Sequence, residues 1–161
     1  ADYKIGKYYS VTSGYQFLLS GDASELDKIK EGKVFTRDNN GYSKRLSMSD
    51  YVGLPNRSKH QLNLKFQYQK EQTFASLRAL YRSSWYVTDT DGNGLFNTND
   101  AKATGFVQLN ATVGLRTSKK ITVQLGCNNM LNYKDPINMP NFFGRSGFIA
   151  INYSIKQSTE K

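Results

Sequence analysis

The feature that most constrains this chain is a period of two sustained over long stretches. In the first stretch Ile5, Tyr9, Val11, Tyr15, Phe17 and Leu19 share one parity, with Ser10, Thr12, Gly14, Gln16 and Ser20 on the other. Further along, His60, Leu62, Leu64, Phe66 and Tyr68 oppose Gln61, Asn63, Lys65, Gln67 and Gln69. The pattern recurs in Ala75, Leu77, Ala79, Tyr81, Trp85 and Val87, in Val107 to Leu115, in Ile121 to Cys127, and in Ile149 to Ile155. Successive side chains of a strand point to opposite faces, so alternation at this step marks β-structure. The expectation is an all-β chain of about six antiparallel strands, over about 3–20, 57–69, 73–88, 105–117, 120–131 and 144–156.

The connections alternate as well. Residues 69–72 and 117–120 read as tight turns, whereas 21–56, 89–104 and 132–143 are long and rich in Asn, Asp, Gly and Ser. Short turns at one end and long loops at the other describe an up-and-down meander of the transmembrane barrel type. A soluble sandwich or lipocalin-like barrel also alternates. Two features weigh against it. The segments run about 12 to 16 residues, against about five or six for an ordinary strand. The polar face also carries full charges at Lys65, Arg78, Arg82 and Arg116, which a small soluble core would have to bury unpaired. A wet lumen holds them, with the apolar face in lipid. Single-chain bacterial barrels start at about eight strands, so six are expected to be part of a larger wall.

Composition fits that reading. Hydrophobic residues are 38% of the 161 residues, low for a soluble globule, while aromatics reach 13%. Tyr8, Tyr9, Tyr68, Tyr81, Trp85 and Tyr86 are candidates for interfacial aromatic girdles. The net charge of +9 first suggests nucleic acid. Its placement argues otherwise: acids and bases cancel between Gly21 and Asn56, 89–104 is acidic, and the surplus is scattered singly, without a basic run or helix. One Cys (Cys127) excludes an internal disulfide and multi-Cys metal sites, and one His (His60) excludes zinc sites built on several histidines. His60 and Cys127 both fall on the apolar face, as a belt residue and a small hydrophobe. No nucleophile elbow or phosphate loop is present, and either Ser-His-Asp or Cys-His chemistry would have to use His60. The chain is not expected to be an enzyme.

Near the end, Leu125-Gly126-Cys127-Asn128-Asn129-Met130-Leu131-Asn132-Tyr133-Lys134-Asp135-Pro136 is followed by Phe143-Gly144-Arg145 and the alternating run Phe148 to Ile155. This resembles the C-terminal signature of TonB-dependent outer-membrane receptors. Upstream, Gly14-Tyr15-Gln16-Phe17-Leu18 and Asp50 to Ser58 resemble the branch of that family found in Bacteroides-like bacteria. Met130 stands where the family usually has Leu, and Ile155 where it usually has a terminal Phe, with a polar tail at 157–161 beyond. The resemblance covers essentially the whole chain, as the last strands of a plugged barrel of about 22 strands. It implies outer-membrane localisation and uptake of a scarce ligand: a ferric siderophore, haem, cobalamin or a glycan. It further implies as partners outer-membrane lipid, the rest of the barrel with its plug, a TonB-type energy-coupling complex and a surface lipoprotein, with no nucleic acid. The plug, the energy-coupling box and the earlier strands are expected outside these residues. On that reading the lumen-facing Lys65, Arg78, Arg82 and Arg116 pair with plug carboxylates.

One loop carries a separate signal. Asp89-Thr90-Asp91-Gly92-Asn93-Gly94-Leu95-Phe96-Asn97-Thr98-Asn99-Asp100 follows the calcium pattern D-x-[DN]-x-[DN]-G-x5-E with Asp in the last place. Asp89, Asp91, Asn93, Asn97 and Asp100 would give side-chain oxygens and Leu95 a backbone carbonyl, which suits a hard ion such as Ca2+. The stretch also resembles dockerin loops. The alternative is an Asn/Gly-rich turn satisfying itself. For the chain as a whole, the competing function is a soluble, secreted, calcium-binding β-protein with a structural or adhesive role.

Overall fold

In the computed structural model, residues 1–37, 40–118 and 120–154 are described. Eleven strands and one helix follow in chain order: β1 (Asp2–Ile5), β2 (Tyr9–Phe17), α1 (Ala23–Lys30), β3 (Phe35–Arg37), β4 (Ser43–Arg45), β5 (His60–Lys70), β6 (Thr73–Arg82), β7 (Trp85–Thr88), β8 (Ala101–Ala103), β9 (Phe106–Arg116), β10 (Ile121–Asn128) and β11 (Ser146–Tyr153). Seven of them form one sheet in the order β1-β2-β5-β6-β9-β10-β11, a meander that follows the sequence. The fold is all-β.

The chain divides into two units. One comprises Ala1–Tyr15, Leu62–Tyr81 and Val107–Lys161 and carries most of the sheet. Its burial runs opposite to that of a soluble protein. Along β5, Leu62, Leu64 and Phe66 are 39%, 42% and 41% exposed, while Asn63, Lys65 and Gln67 between them are half-buried. On β11, Ile149 and Ile151 are more than 70% exposed. An apolar surface of this extent marks an interaction face. Two glycines on the polar face of the sheet leave room for rings: Phe74 packs where a Cβ of Gly114 would stand, and Phe148 over its cross-strand partner Gly126.

The expected single strand over 3–20 is two strands. Gly6, at φ 65°, turns the chain so that Ile5 pairs with Tyr9 and Tyr3 with Val11. The odd-numbered apolar residues keep their parity through this turn, so a hairpin and one long strand give the same alternation. The expected strand over 73–88 is likewise broken after Arg82, since β7 leaves the large sheet to pair with β8. Residues Ile155 and Lys156, expected to end the last strand, and the tail 157–161 lie outside the described residues.

The second unit comprises Gln16–Gln61 and Arg82–Phe106. Its 21–56 segment, expected as a loop, contains a helix and a small hairpin. Asp22 caps α1 by accepting from the Ser24 backbone N–H at 2.8 Å, with Glu25 in the first turn and Lys28 and Lys30 in the last. Spaced for one helical face, Leu26 and Ile29 follow, and Ile29 is buried. It joins Val34, Leu46 and Leu95 in a small apolar core, with Tyr51 packed against it. Backbone bonds stitch the two long loops together: Val52 N–H donates to Phe96 at 3.0 Å and Thr98 N–H to Asp50 at 2.9 Å.

Candidate functional site

The predicted site residues fall in three places. In the sheet unit, Lys65 and Arg116 share a groove of about 490 Å3 with Tyr8, Gln67, Gln124 and Asn152. Arg78 reaches across to Asn63, its Nε donating to Oδ1 at 2.9 Å. Among the described residues none of these three cations has an ion-pair partner. The groove is a polar, cationic surface open to solvent, suited to a surface bearing amides and carboxylates.

Arg82 belongs to the loop unit, apart from the other three. Its guanidinium lies over the Trp85 ring at 3.9 Å, its Nε donates to Ser58 Oγ at 2.7 Å, and Nη2 donates to the Asn56 carbonyl at 3.0 Å. Trp85 was expected in an interfacial girdle; it is instead buried at 3% exposure, edge-on to Phe106. It lies on β7, which leaves the large sheet to pair with β8. Tyr9 and Tyr81 are exposed, whereas Tyr8, Tyr68 and Tyr86 are half-buried. His60 is exposed, with its ring 5.3 Å from that of Phe17, and Cys127 is half-buried.

The third place is the Asp89–Asp100 loop. Oxygens of Asp89, Asp91 and Asp100 all lie within 4.8 Å of one another. Asp89 Oδ2 accepts from Gly94 N–H at 2.8 Å, with Gly94 at φ 82°, a turn that favours glycine. Asp91 Oδ2 accepts from the Thr36 hydroxyl at 2.6 Å and from Arg37 N–H at 3.1 Å. Asn93 Nδ2 donates to Asp91 and to the Phe35 carbonyl. Asp100 accepts from Thr90 N–H and Asn97 N–H, each at 2.8 Å. Asn97 is fully buried, with Oδ1 accepting from Asn99 N–H, and Leu95 anchors the loop in the apolar core. The loop thus brings its three carboxylates together. Among the described residues none of them is in an ion pair.

Burial works to raise the Asp91 pKa, but the Thr36 hydroxyl and the N–H groups of Arg37 and Asn93 outweigh it and hold the carboxyl below its ordinary value. Thr36 is the residue that sequence reasoning missed. It sits some 55 residues away in the chain, and no spacing rule connects a β-hairpin threonine to a distant aspartate loop.

Asn129 organises the last loop. Nearly fully buried and at φ 50°, it donates from Nδ2 to the carbonyls of Tyr133 and Phe143 and accepts the Tyr133 N–H on Oδ1. Asn132 Oδ1 accepts from Arg145 N–H at 3.0 Å. These bonds give a physical reason for the Asn-x-x-Asn spacing before the Gly-Arg pair.

Residues 2–130 match the family model described as TonB dependent receptor-like, beta-barrel. No curated protein and no solved structure matches the chain.

Proposed function

The chain belongs to the TonB-dependent receptor β-barrel family, a family of outer-membrane transporters, and from that premise we propose that it forms part of the wall of a transporter that imports a scarce solute. The observation that carries this reading is the inverted burial of the sheet: apolar side chains outward, amides and cations on the other face. The competing reading, a soluble calcium-binding protein, would need those apolar faces in a core.

In this reading the seven strands join further strands to close a barrel, and a plug domain fills it. Lys65, Arg78 and Arg116 meet carboxylates of the plug, which offsets the cost of cations held in a confined lumen. The two long loops and the last loop face the outside and contact the solute, a ferric siderophore, haem, cobalamin or a glycan, with a surface lipoprotein as a further partner. Force from a TonB-type complex acts through the plug. Transport in this reading is conformational.

We also propose Ca2+ as a stiffener of the Asp89–Asp100 loop. The support is the set of three clustered carboxylates, none of them in an ion pair among the described residues, in a sequence register that would offer Asn93, Asn97 and the Leu95 carbonyl as further oxygen donors.

The test of transport uses the complete receptor in its own cell. The protein is expected in the outer-membrane fraction, with heat-modifiable electrophoretic migration. A strain lacking its gene should lose energy-dependent uptake of one of the four solute classes. Recovery of the protein in the soluble fraction without detergent would overturn the proposal.

A further inference from the structure

Three lysines gather at the short-turn end of the sheet unit. Lys7 Nζ lies over the Tyr8 ring at 5.5 Å, and Lys70 Nζ over the same ring at 5.6 Å. Gln69 N–H donates to the Tyr8 carbonyl at 2.8 Å, which ties the end of β5 to the β1–β2 turn. Lys4 and Lys7 line a groove of about 520 Å3 with Tyr8, Ser10 and Glu71. All three lysines are exposed. Among the described residues neither Glu71 nor any other carboxylate forms an ion pair with them.

Beside these cations the sheet carries rings. Tyr9 stacks on Phe66 with centroids 5.7 Å apart and meets Tyr68 at 5.2 Å. Tyr9 is 43% and Phe66 41% exposed. Lys70, the last residue of β5, shares the parity of Leu62 to Tyr68, so its stem prolongs the apolar face and its ammonium group ends it. Apolar side chains, then amphipathic rings, then cations match the order of acyl chains, glycerol esters and phosphate in a phospholipid.

Holding one tyrosine ring does not explain two lysines. An exposed cation–π contact is a weak tie, and a second ammonium drawn to the same ring adds repulsion that an intervening anion removes. A lysine is a compact charge with three rotatable donors, suited to phosphate oxygens.

We propose that Lys7 and Lys70, with Lys4 at the rim of the groove, hold the phosphate of an anionic phospholipid head group beside Tyr8. The short turns of outer-membrane barrels face the periplasm, so the lipid belongs to the periplasmic leaflet. The proposal goes beyond the transporter reading: it needs the barrel in its membrane and is indifferent to the solute.

The test uses the full-length receptor, purified in detergent and labelled with phosphatidylglycerol that carries a photoreactive head group. Mass spectrometry maps the labelled peptides. Wild type should be labelled within 4–9 and 66–72, and the matching phosphatidylcholine probe should label these much less. Lys7→Gln with Lys70→Gln takes away two ring contacts and no hydrogen bond among the described residues. It should cut the labelling there by about tenfold, while Lys7→Arg with Lys70→Arg should keep most of it. Labelling unchanged in the glutamine variant, or equal for the two lipids, overturns the site. If inorganic phosphate at matched ionic strength displaces the probe as well as unlabelled phosphatidylglycerol does, the site takes free phosphate and the lipid assignment fails. Absent labelling overturns it as well; a lower thermal midpoint of the glutamine variant in lipid-free detergent would then assign the lysines to a carboxylate of the receptor's own chain. Outer-membrane fractionation and solute uptake are scored separately, so failure of the lipid site is distinguishable from failure of the transporter reading.

Discussion

Asn129 Nδ2 donates to the Phe143 carbonyl at 3.0 Å, closing the last long loop on itself. The same amide group holds both the carbonyl and the N–H of Tyr133. One side chain therefore supplies three bonds to loop backbone. Buried backbone groups left unpaired cost about 1–3 kcal/mol each.

Asn129→Ala should accordingly destabilise the loop by about 3 kcal/mol or more, since alanine also pays for the left-handed conformation. Chymotrypsin cleavage between Tyr133 and Phe143, measured on receptor in outer-membrane vesicles, is expected to accelerate by about a hundredfold. Unchanged cleavage would show that other contacts hold the loop.

Gly126 and Phe148 should behave as one unit. A Cβ on Gly126 would come within 2.3 Å of the Phe148 ring, so the ring occupies the place of the missing side chain. Gly126→Val is expected to cost about 1–3 kcal/mol through overpacking. Adding Phe148→Ala should recover more than half of that loss. A double-mutant cycle on unfolding of the full-length receptor in detergent measures the coupling, and additive effects would refute it.

How much of this was legible in the sequence depended on whether the signal was local. The face pattern of β5 reads directly from Leu62 to Gln67, because side-chain direction there is fixed by the pleat alone. The turn at Gly6 was hidden for a definite reason: three residues separate Ile5 from Tyr9, which preserves parity. The helix α1 left a signature in Asp22, Glu25, Leu26 and Ile29, a cap followed by helical spacing. Trp85 was misplaced because parity continues through Ser83 and Ser84 while the backbone leaves the sheet. For the Asp89–Asp100 loop, the carboxylate cluster was visible in its spacing. Its tie to Thr36, and the grip of Arg82 on residues 56 and 58, depend on tertiary contacts that no local pattern encodes.

Leu46 is 2% exposed and sits in the small core with Ile29, Val34 and Leu95. Leu46→Ala should destabilise the loop unit by about 2–5 kcal/mol through the lost burial and the cavity. Hydrogen exchange at amides of α1 and the β3–β4 hairpin is the measurement, with faster exchange expected. Protection equal to wild type would mean that the core does not hold these elements.

Acid should loosen the loop unit. Asp50 has its carboxyl lowered chiefly by the Ser47 hydroxyl, and Asp91 is lowered despite its burial by Thr36 and two backbone N–H groups. Both folded values lie below the ordinary 3.8, so the unfolded loop binds protons more readily. Their stabilisation is complete well above that value, begins to decline as the pH nears it, and is lost as the pH falls through the lower folded values. Pepsin cleavage within 34–52 and 89–100 should therefore rise steeply below pH 3.8 beyond the enzyme's own pH profile, measured on an unstructured peptide. A rise already complete above pH 5 would point to other groups.

Removing calcium should act on the same loop from the other side. Three carboxylates with oxygens within 4.8 Å of one another repel, and a divalent cation among them converts that repulsion into attraction. The loop is stitched to β3 through Asp91–Thr36 and Asn93–Phe35, so order gained at the ion spreads to the hairpin. Chelation of the full-length receptor is expected to lower its thermal midpoint and to speed proteolysis within 89–100. Micromolar to millimolar Ca2+ should reverse both, with Mg2+ much less effective because it demands tighter octahedral geometry. The double substitution Asp89→Ala with Asp100→Ala should abolish the calcium-dependent shift. If chelation leaves wild type and double variant equally stable, the loop is a self-satisfied turn: the bonds from Gly92, Gly94, Thr90 and Asn97 suffice to hold its carboxylates.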